Sequence, residues 1–310
     1  MFYIRNLICL FFLSILAFGV KSQDFEKRSL KEVEDSLTIL MKQIYSNKPL
    51  SIREVANNNF HSLFRGALAK EDAFDYPFDS LKHIGKIISD DKRVRIFTWN
   101  LPLSSGNQKY NGFIVLKNGK TQIFELVDNR KSITNPIKDI LSSQNWMGAL
   151  YYSIIDEPYN GQTNYVLLGL DFNNLFSAKK IIDVLSFGKD SEPIFGSGIF
   201  KVGDAILNRV VFEFSARASM SLRYYVDSKT IVFDHLSPLR PDFKDNYQFY
   251  GPDFSYDGFR FENGYWIYVR DLDMKNPKKK PVKLPDSPNK TPDPGFLYKS
   301  KSFIPKQNVK

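Results

Sequence analysis

The chain has 310 residues, 43% of them hydrophobic, a formal net charge of +9 at pH 7 and one cysteine, Cys9. Ten lysines against two aspartates in residues 275–310 carry this excess, so residues 23–274 are nearly neutral. A nucleic-acid-binding fold would carry its basic patch on a folded face, so this distribution does not predict one. Because residues 23–310 lack cysteine, they cannot form a disulfide, a thiolate nucleophile or a cysteine-ligated zinc site.

The first 22 residues predict a cleavable secretory signal peptide. Arg5 supplies a positive charge, residues 7–20 form an apolar run, and Ser22 ends a stretch that suits cleavage. The run is shorter than the ~20 apolar residues that a membrane-spanning helix needs, so an uncleaved anchor is the weaker alternative. We therefore expect an exported mature chain of residues 23–310 with no transmembrane span after cleavage.

Residues 23–90 predict an N-terminal helical segment. Apolar residues recur at helical spacing over 24–46. Ser51 to Glu54 has the spacing of a capping box, which would start a second helix. A third, shorter helix is predicted over Ser80–Ile88, where isoleucine and leucine again recur at helical spacing.

Residues 91–274 predict a large antiparallel β-domain. From Val94 the apolar residues alternate, and about ten strands group into three successive meanders between turn-forming residues. Asn118-Gly119 and Asn263-Gly264 have the chemistry of tight hairpin turns. The predicted fold class is mainly β (α+β), with the helices packed on an antiparallel β-meander. Propeller-like, barrel-like and sandwich arrangements all stay open.

Three further segments of this domain have a predicted type. Asn135-Pro136 predicts a short helix through Leu141, with asparagine as the cap and proline in the first turn. Lys180–Phe187 is rich in β-branched and aromatic residues, which favours a strand over a helix. Arg209–Ser215 alternates and is taken as a strand of the third meander.

The last 36 residues, 275–310, differ abruptly in composition from the rest. They contain seven prolines and ten lysines with few apolar residues. Such a segment buries too little surface to offset its ordering entropy, so the sequence predicts a lysine- and proline-rich disordered tail. Its charge suits an anionic envelope polymer or an acidic envelope protein, although a merely solvated tail is an equal alternative.

Four residues are candidate catalytic groups: His235, Asp234, Asp253 and Asp257. Residues 233–237 place an acid, an imidazole and a hydroxyl in sequence near a strand end, and two carboxylates can divide acid and nucleophile roles in glycoside cleavage. Neighbours on a strand point to opposite faces, so Asp234 cannot easily orient His235 as in a Ser-His-Asp triad. The favoured interpretation is hydrogen bonding at a strand end and turn formation.

Ten aromatic residues crowd the 22 positions from 247 to 268. If exposed they would form a platform for a sugar or a partner protein, and the candidate binding residues are Tyr250, Tyr256, Tyr265 and Trp266. The favoured alternative is sheet core and sheet edge, since aromatic residues are good strand formers. Zinc-protease, phosphate-loop and dinucleotide motifs are absent from the sequence, and neither a metal site nor a cofactor is predicted.

A resemblance to known proteins rests on five phrases: Tyr76–Leu81, Arg95–Asn100, Lys180–Leu185, Ile231–Leu236 and Tyr250–Gly258. Together they resemble a group of exported proteins of similar length from Bacteroidota-type bacteria, over most of the mature chain except the tail. The resemblance implies a periplasmic or secreted setting and assigns no activity and no site residues. The tail does not resemble the folded C-terminal sorting domain used for export across that outer membrane, which favours the periplasm over secretion or outer-membrane association.

These observations lead to two hypotheses about function. The first is a non-enzymatic periplasmic or envelope-associated protein that binds or assembles an envelope protein or polymer. The alternative is a hydrolase that acts on envelope glycans or esters, with the four candidate catalytic residues in its site. A hydrolase requires those side chains to converge in one concave pocket, whereas a binding protein does not.

Overall fold

The computed structural model describes residues 28–273, which are mainly β with two N-terminal helices. The predicted signal peptide, 1–22, and the predicted tail, 275–310, lie outside the described residues. Helix α1 spans Leu30–Ile44 and helix α2 spans Leu50–Leu68. Neither helix within 28–273 is long and apolar enough to cross a membrane.

Helix α1 begins with a capping box, and helix α2 does not. The Ser29 side chain accepts a hydrogen bond from the Glu32 backbone N–H, and the Glu32 carboxylate accepts one from the Ser29 backbone N–H. The capping box predicted at Ser51 is wrong, because α2 already begins at Leu50 with Pro49 in the cap position and no side-chain cap. Proline suits a helix start because its missing N–H would have no partner there.

Four strands form the first sheet, in the order β1-β2-β3-β4: β1 (Gly85–Ile88), β2 (Val94–Pro102), β3 (Gln108–Asn118) and β4 (Lys120–Val127). The predicted first meander and its Asn118-Gly119 turn are confirmed, with Gly119 at φ 70°. The helices cover one face of this sheet, where Phe60 and Phe64 of α2 pack against Phe97, Trp99 and Phe113.

The helix predicted over Ser80–Ile88 is wrong, because its second half is strand β1. Ile87 pairs with Ile96 of β2. Gly85 permits the close approach of β1 to the backbone of Tyr151, since a Cβ at residue 85 would clash with the Tyr151 carbonyl oxygen. Tertiary pairing here overrides a helical pattern that was only two turns long.

The second sheet has the order β5-β9-β8-β7-β6: β5 (Leu141–Ser142), β6 (Leu150–Tyr159), β7 (Gln162–Asp171), β8 (Ser177–Phe187) and β9 (Pro193–Phe195). The strand predicted over Lys180–Phe187 is confirmed as part of β8. The helix predicted from Asn135 to Leu141 is wrong: only one turn forms before β5. The carbonyls of residues 136–138 accept hydrogen bonds from Asn208 and Arg209, so they are not free to extend a helix.

The third sheet has the order β11-β10-β16-β15-β14-β13: β10 (Phe200–Val202), β11 (Ala205–Leu207), β13 (Leu222–Tyr225), β14 (Thr230–Pro238), β15 (Tyr250–Glu262) and β16 (Tyr265–Val269). Its pairings are antiparallel except for β10 with β16. The Asn263-Gly264 turn is confirmed, with φ of 48° and 82° as a type I′ hairpin requires. None of the three sheets within 28–273 closes on itself.

One predicted strand belongs to a different sheet from the one expected. Strand β12 (Val210–Ser215) pairs with β8 of the second sheet and not with the third meander. A fully buried ion pair lies at this join, with Arg209 Nε 2.7 Å from Asp183 Oδ1. Tyr151 donates to the same carboxylate and accepts from the Trp146 indole N–H, and burial raises the Tyr151 pKa. Buried charges need such partners, so this network holds β12 against β8.

Candidate binding cleft

A cleft of about 800 Å³ opens at the far end of the β14–β15 ribbon. The ends of these two strands, Ser237–Leu239 and Tyr250–Pro252, form its floor. Leu175 and Phe176, from the loop between β7 and β8, line one wall. The other wall is lined by the last residue of β12, Ser215, and by Arg217 and Ala218 just after it. Three parts of the chain that are distant in sequence therefore meet at this site.

Local hydrogen bonds hold the β7–β8 loop in a shape that presents its apolar residues to solvent. The Asn174 side-chain oxygen accepts from the backbone N–H groups of Phe176 and Ser177, at 2.8 and 3.0 Å. The Phe176 carbonyl oxygen accepts from the Ala216 backbone N–H at 2.9 Å, which ties the two walls together. Leu175 and Phe176 consequently remain 70% and 66% exposed.

The floor of the cleft ends in a second apolar group. The Leu239 backbone N–H donates to the Phe249 carbonyl oxygen at 2.9 Å, and the Phe249 ring stacks on Phe243 with centroids 4.2 Å apart. The Leu239 side chain is 78% exposed. Together the walls and this end give the cleft an apolar rim.

The lining of the cleft contains few charged or titratable side chains. Arg217 is the only charged side chain among the described residues that line it, and neither histidine nor carboxylate is present there. Within 28–273, the Arg217 guanidinium and the Gln248 carboxamide form no hydrogen bond and no ion pair. Acid–base catalysis in the cleft would need a histidine or carboxylate in reach of the ligand, which the described lining does not supply.

The chain matches no family model, no curated protein and no solved structure.

Two of the candidate catalytic residues come together outside the cleft. His235 Nδ1 lies 2.7 Å from Asp253 Oδ2, and the Ser255 hydroxyl donates to the other oxygen of that carboxylate at 2.7 Å. Desolvation acts to raise the Asp253 pKa, but the hydrogen bonds from Ser255 and His235 outweigh it and hold the pKa below its usual range. In a Ser-His-Asp triad the imidazole lies between the other two groups, whereas here the carboxylate does.

The other two candidate catalytic residues have separate structural partners. The Asp234 carboxylate accepts from the Ser221 backbone N–H at 2.7 Å. Asp257 is buried and accepts from the Tyr268 hydroxyl and the Asp271 backbone N–H. None of these residues lines the cleft, and the four do not converge in one pocket.

The four candidate binding aromatics occupy different environments. Tyr250 lines the cleft, and Tyr256 is exposed on the same strand, β15. The Tyr265 ring lies under Lys201 Nζ, 3.4 Å from the ring centroid. Trp266 is fully buried, so its indole belongs to the core and offers no surface to a ligand.

Sequence reasoning did not single out the residues that make the rim. A signal was present in Phe172-Asn-Asn-Leu-Phe176, because two adjacent turn-forming asparagines indicate a surface loop, which places the apolar residues beside them at the surface. Leu239 likewise lies between Pro238 and Arg240-Pro241.

The two remaining histidines serve packing. His61 lies on α2, with its ring 4.7 Å from that of Phe113 and its Nε2 3.0 Å from Glu125 Oε1. His83 lies in the turn before β1 and packs against Tyr45. Within 28–273 no group of three or more His, Cys, Asp or Glu side chains could hold a metal ion.

Proposed function

We propose that this is a non-enzymatic binding protein of the periplasm or cell envelope, and that the cleft is its ligand site. One observation carries the proposal: three large apolar side chains, Leu175, Phe176 and Leu239, stay exposed around a single concavity. Exposed apolar residues are ordinary when scattered, but a cluster at a cleft is typical of an interaction site.

The predicted signal peptide supports the setting of this function. The first 22 residues have the pattern of a signal peptide, and the resemblance to exported proteins of Bacteroidota-type bacteria agrees with it. The partner in this proposal is an envelope protein or an anionic envelope polymer, to which the lysine-rich segment 275–310 adds electrostatic attraction.

An uncharged fluorescent probe tests the cleft directly. N-phenyl-1-naphthylamine brightens in apolar surroundings, and we expect saturable binding to the purified exported protein. Leu239→Asp and Phe176→Asp should each weaken binding at least about tenfold, since they place a charge in the apolar rim. Val226→Asp is the matched control, because Val226 is 73% exposed but lies in the turn after β13, away from the cleft. Equal loss in the control, or no saturable binding by the wild type, would refute the proposal.

The hydrolase alternative rests on the short contact between His235 and Asp253. An oriented imidazole can activate water, and its second nitrogen bonds no atom within 28–273. Turnover of p-nitrophenyl acetate or of a chromogenic glycoside that disappears in His235→Ala, but persists in Leu239→Asp, would favour this alternative. Absence of turnover leaves the binding proposal as the better account.

A further inference from the structure

The polar groups of the cleft are few and uncommitted. The Arg217 guanidinium and the Gln248 carboxamide have no partner within 28–273, and the Ser237 hydroxyl also bonds nothing there. Arg217 is exposed and lies beside the apolar side chains of the lining. A guanidinium next to low-dielectric surface attracts an anion more strongly than one in bulk water, and its planar fork matches a carboxylate or phosphate. The charge of the cleft is thus complementary to a single anionic group.

The floor of the cleft disfavours an extended peptide as the ligand. Pro238 pairs with Tyr250, and Pro252 pairs with Leu236, so each strand of the ribbon carries a proline near its end. Proline has no backbone N–H, and an added strand would find donors missing along both edges. Strand addition takes its affinity from main-chain hydrogen bonds, so this site suits a ligand without a peptide backbone.

The size and lining agree with a small amphiphile. About 800 Å³ falls within the range of small-molecule sites. Leu175, Phe176, Leu239 and Phe249 would cover a flexible hydrocarbon chain, and burial of each added methylene is worth up to about fourfold in affinity.

We infer that the cleft binds an amphiphile composed of a flexible hydrocarbon chain and one anionic group, with Arg217 binding that group. The inference rests on the proposed function, because it names the ligand class of the same cleft. The anionic group is a carboxylate or a phosphate, and both chemistries satisfy the guanidinium.

Displacement of N-phenyl-1-naphthylamine from the whole exported protein tests this, with all ligands kept below their critical micelle concentrations. Dodecanoate should bind about 10- to 100-fold more tightly than dodecanol, which has the same chain without the charge. Dodecyltrimethylammonium should bind more weakly than dodecanol. Decanoate should bind more weakly than dodecanoate by up to about 15-fold for its two missing methylenes. Comparison of dodecyl phosphate with dodecanoate identifies the preferred head group.

Arg217→Gln should reduce dodecanoate affinity to that of dodecanol and leave probe and dodecanol affinities unchanged. Arg217→Lys should restore part of the difference, because it keeps the charge and loses the fork. Arg260→Gln, an exposed arginine on β15 outside the cleft, is the matched control and should change nothing. Equal binding of dodecanoate and dodecanol, or an unchanged dodecanoate affinity in Arg217→Gln, overturns the inference and leaves the proposed function standing. A wild type that binds neither probe nor dodecanol refutes both.

Discussion

The helical region, where α2 covers the first sheet, and the cleft treat the same kinds of side chain in opposite ways. In the helical region, Phe60, Phe64 and Trp99 are fully buried between α2 and the first sheet. At the cleft, Leu175 and Leu239 are mostly exposed. Hydrophobicity does not separate the two groups, because both are large and apolar. The difference lies in whether a covering element is present.

The apolar residues of the helical region are covered because α1 and α2 are amphipathic and supply a complementary apolar stripe. One wall of the cleft is a short loop whose shape is set by the hydrogen bonds of Asn174, and Pro238 ends strand β14 at the floor. A loop fixed by its own hydrogen bonds cannot collapse over its apolar residues. The cleft therefore keeps exposed apolar surface that a ligand can cover.

Shortening an apolar side chain should destabilise the protein far more in the helical region than at the cleft. Phe64→Ala removes a ring that contacts Phe78, Phe97 and Phe113, and we expect it to lower the free energy of unfolding by about 3–5 kcal/mol. Leu239→Ala at the cleft should change it by less than about 0.5 kcal/mol. Urea denaturation of both variants measures these values, and similar losses in the two would contradict the distinction.

Phe254, on β15, is 94% exposed and has a φ of 70°. It lies in an irregular part of β15 where three residues, Asp253 to Ser255, face His235 alone. A left-handed conformation costs a residue with a Cβ about 1–2 kcal/mol, and glycine gives back part of that through its unfolded-state entropy. Phe254→Gly should therefore raise the free energy of unfolding by up to about 1 kcal/mol.

Phe254→Ala is the control, because it removes the ring and keeps the Cβ. It should show no gain. If the alanine variant were as stable as the glycine variant in the same urea titration, backbone strain would not be the cause.

The smallest effect expected is a pH dependence of the stability, which arises from His61 at the edge of the helical region. Desolvation lowers the His61 pKa from its ordinary 6.5, the Glu125 carboxylate acts to raise it, and Arg65 and Lys109 lower it further. Because the folded-state pKa is below the unfolded one, the unfolded chain binds more protons as pH falls below 6.5. The free energy of unfolding should therefore be highest above pH 6.5 and should decline below it.

Thermal unfolding between pH 7.5 and 5.5 measures this effect. The melting temperature of the wild type should fall more over that interval than that of His61→Gln, which cannot titrate. Parallel curves for the two proteins would show that His61 makes no contribution to the pH dependence.

Much of the fold follows from local sequence patterns. The hairpins at Asn118-Gly119 and Asn263-Gly264 form as predicted, because Gly119, Asn263 and Gly264 take the positive φ that glycine and asparagine adopt more readily than other residues. A third, Asn160-Gly161, has the same signal and joins β6 to β7 with φ of 50° and 77°, although it was not singled out. The predicted helix over Ser80–Ile88 failed because its residues gain more by pairing with β2 than by forming two isolated turns.

The candidate site was less accessible to the same reasoning. The contact between His235 and Asp253 joins two of the residues that the sequence proposed for catalysis, and Tyr250 reaches the cleft. The cleft as a whole was missed because its lining residues Leu175, Arg217 and Leu239 belong to segments about 20 to 40 residues apart, and no local pattern shows that these segments meet.

The amino-acid sequence by itself determined the two N-terminal helices, most of the long strands and several of the turns, because periodicity and turn chemistry act over a few residues. Only the tertiary structure decided which strands pair, as when β12 joins β8 across the buried contact between Arg209 and Asp183. It also decided which apolar faces are covered. Both depend on contacts between distant residues, whose free energy appears only when the whole chain is assembled.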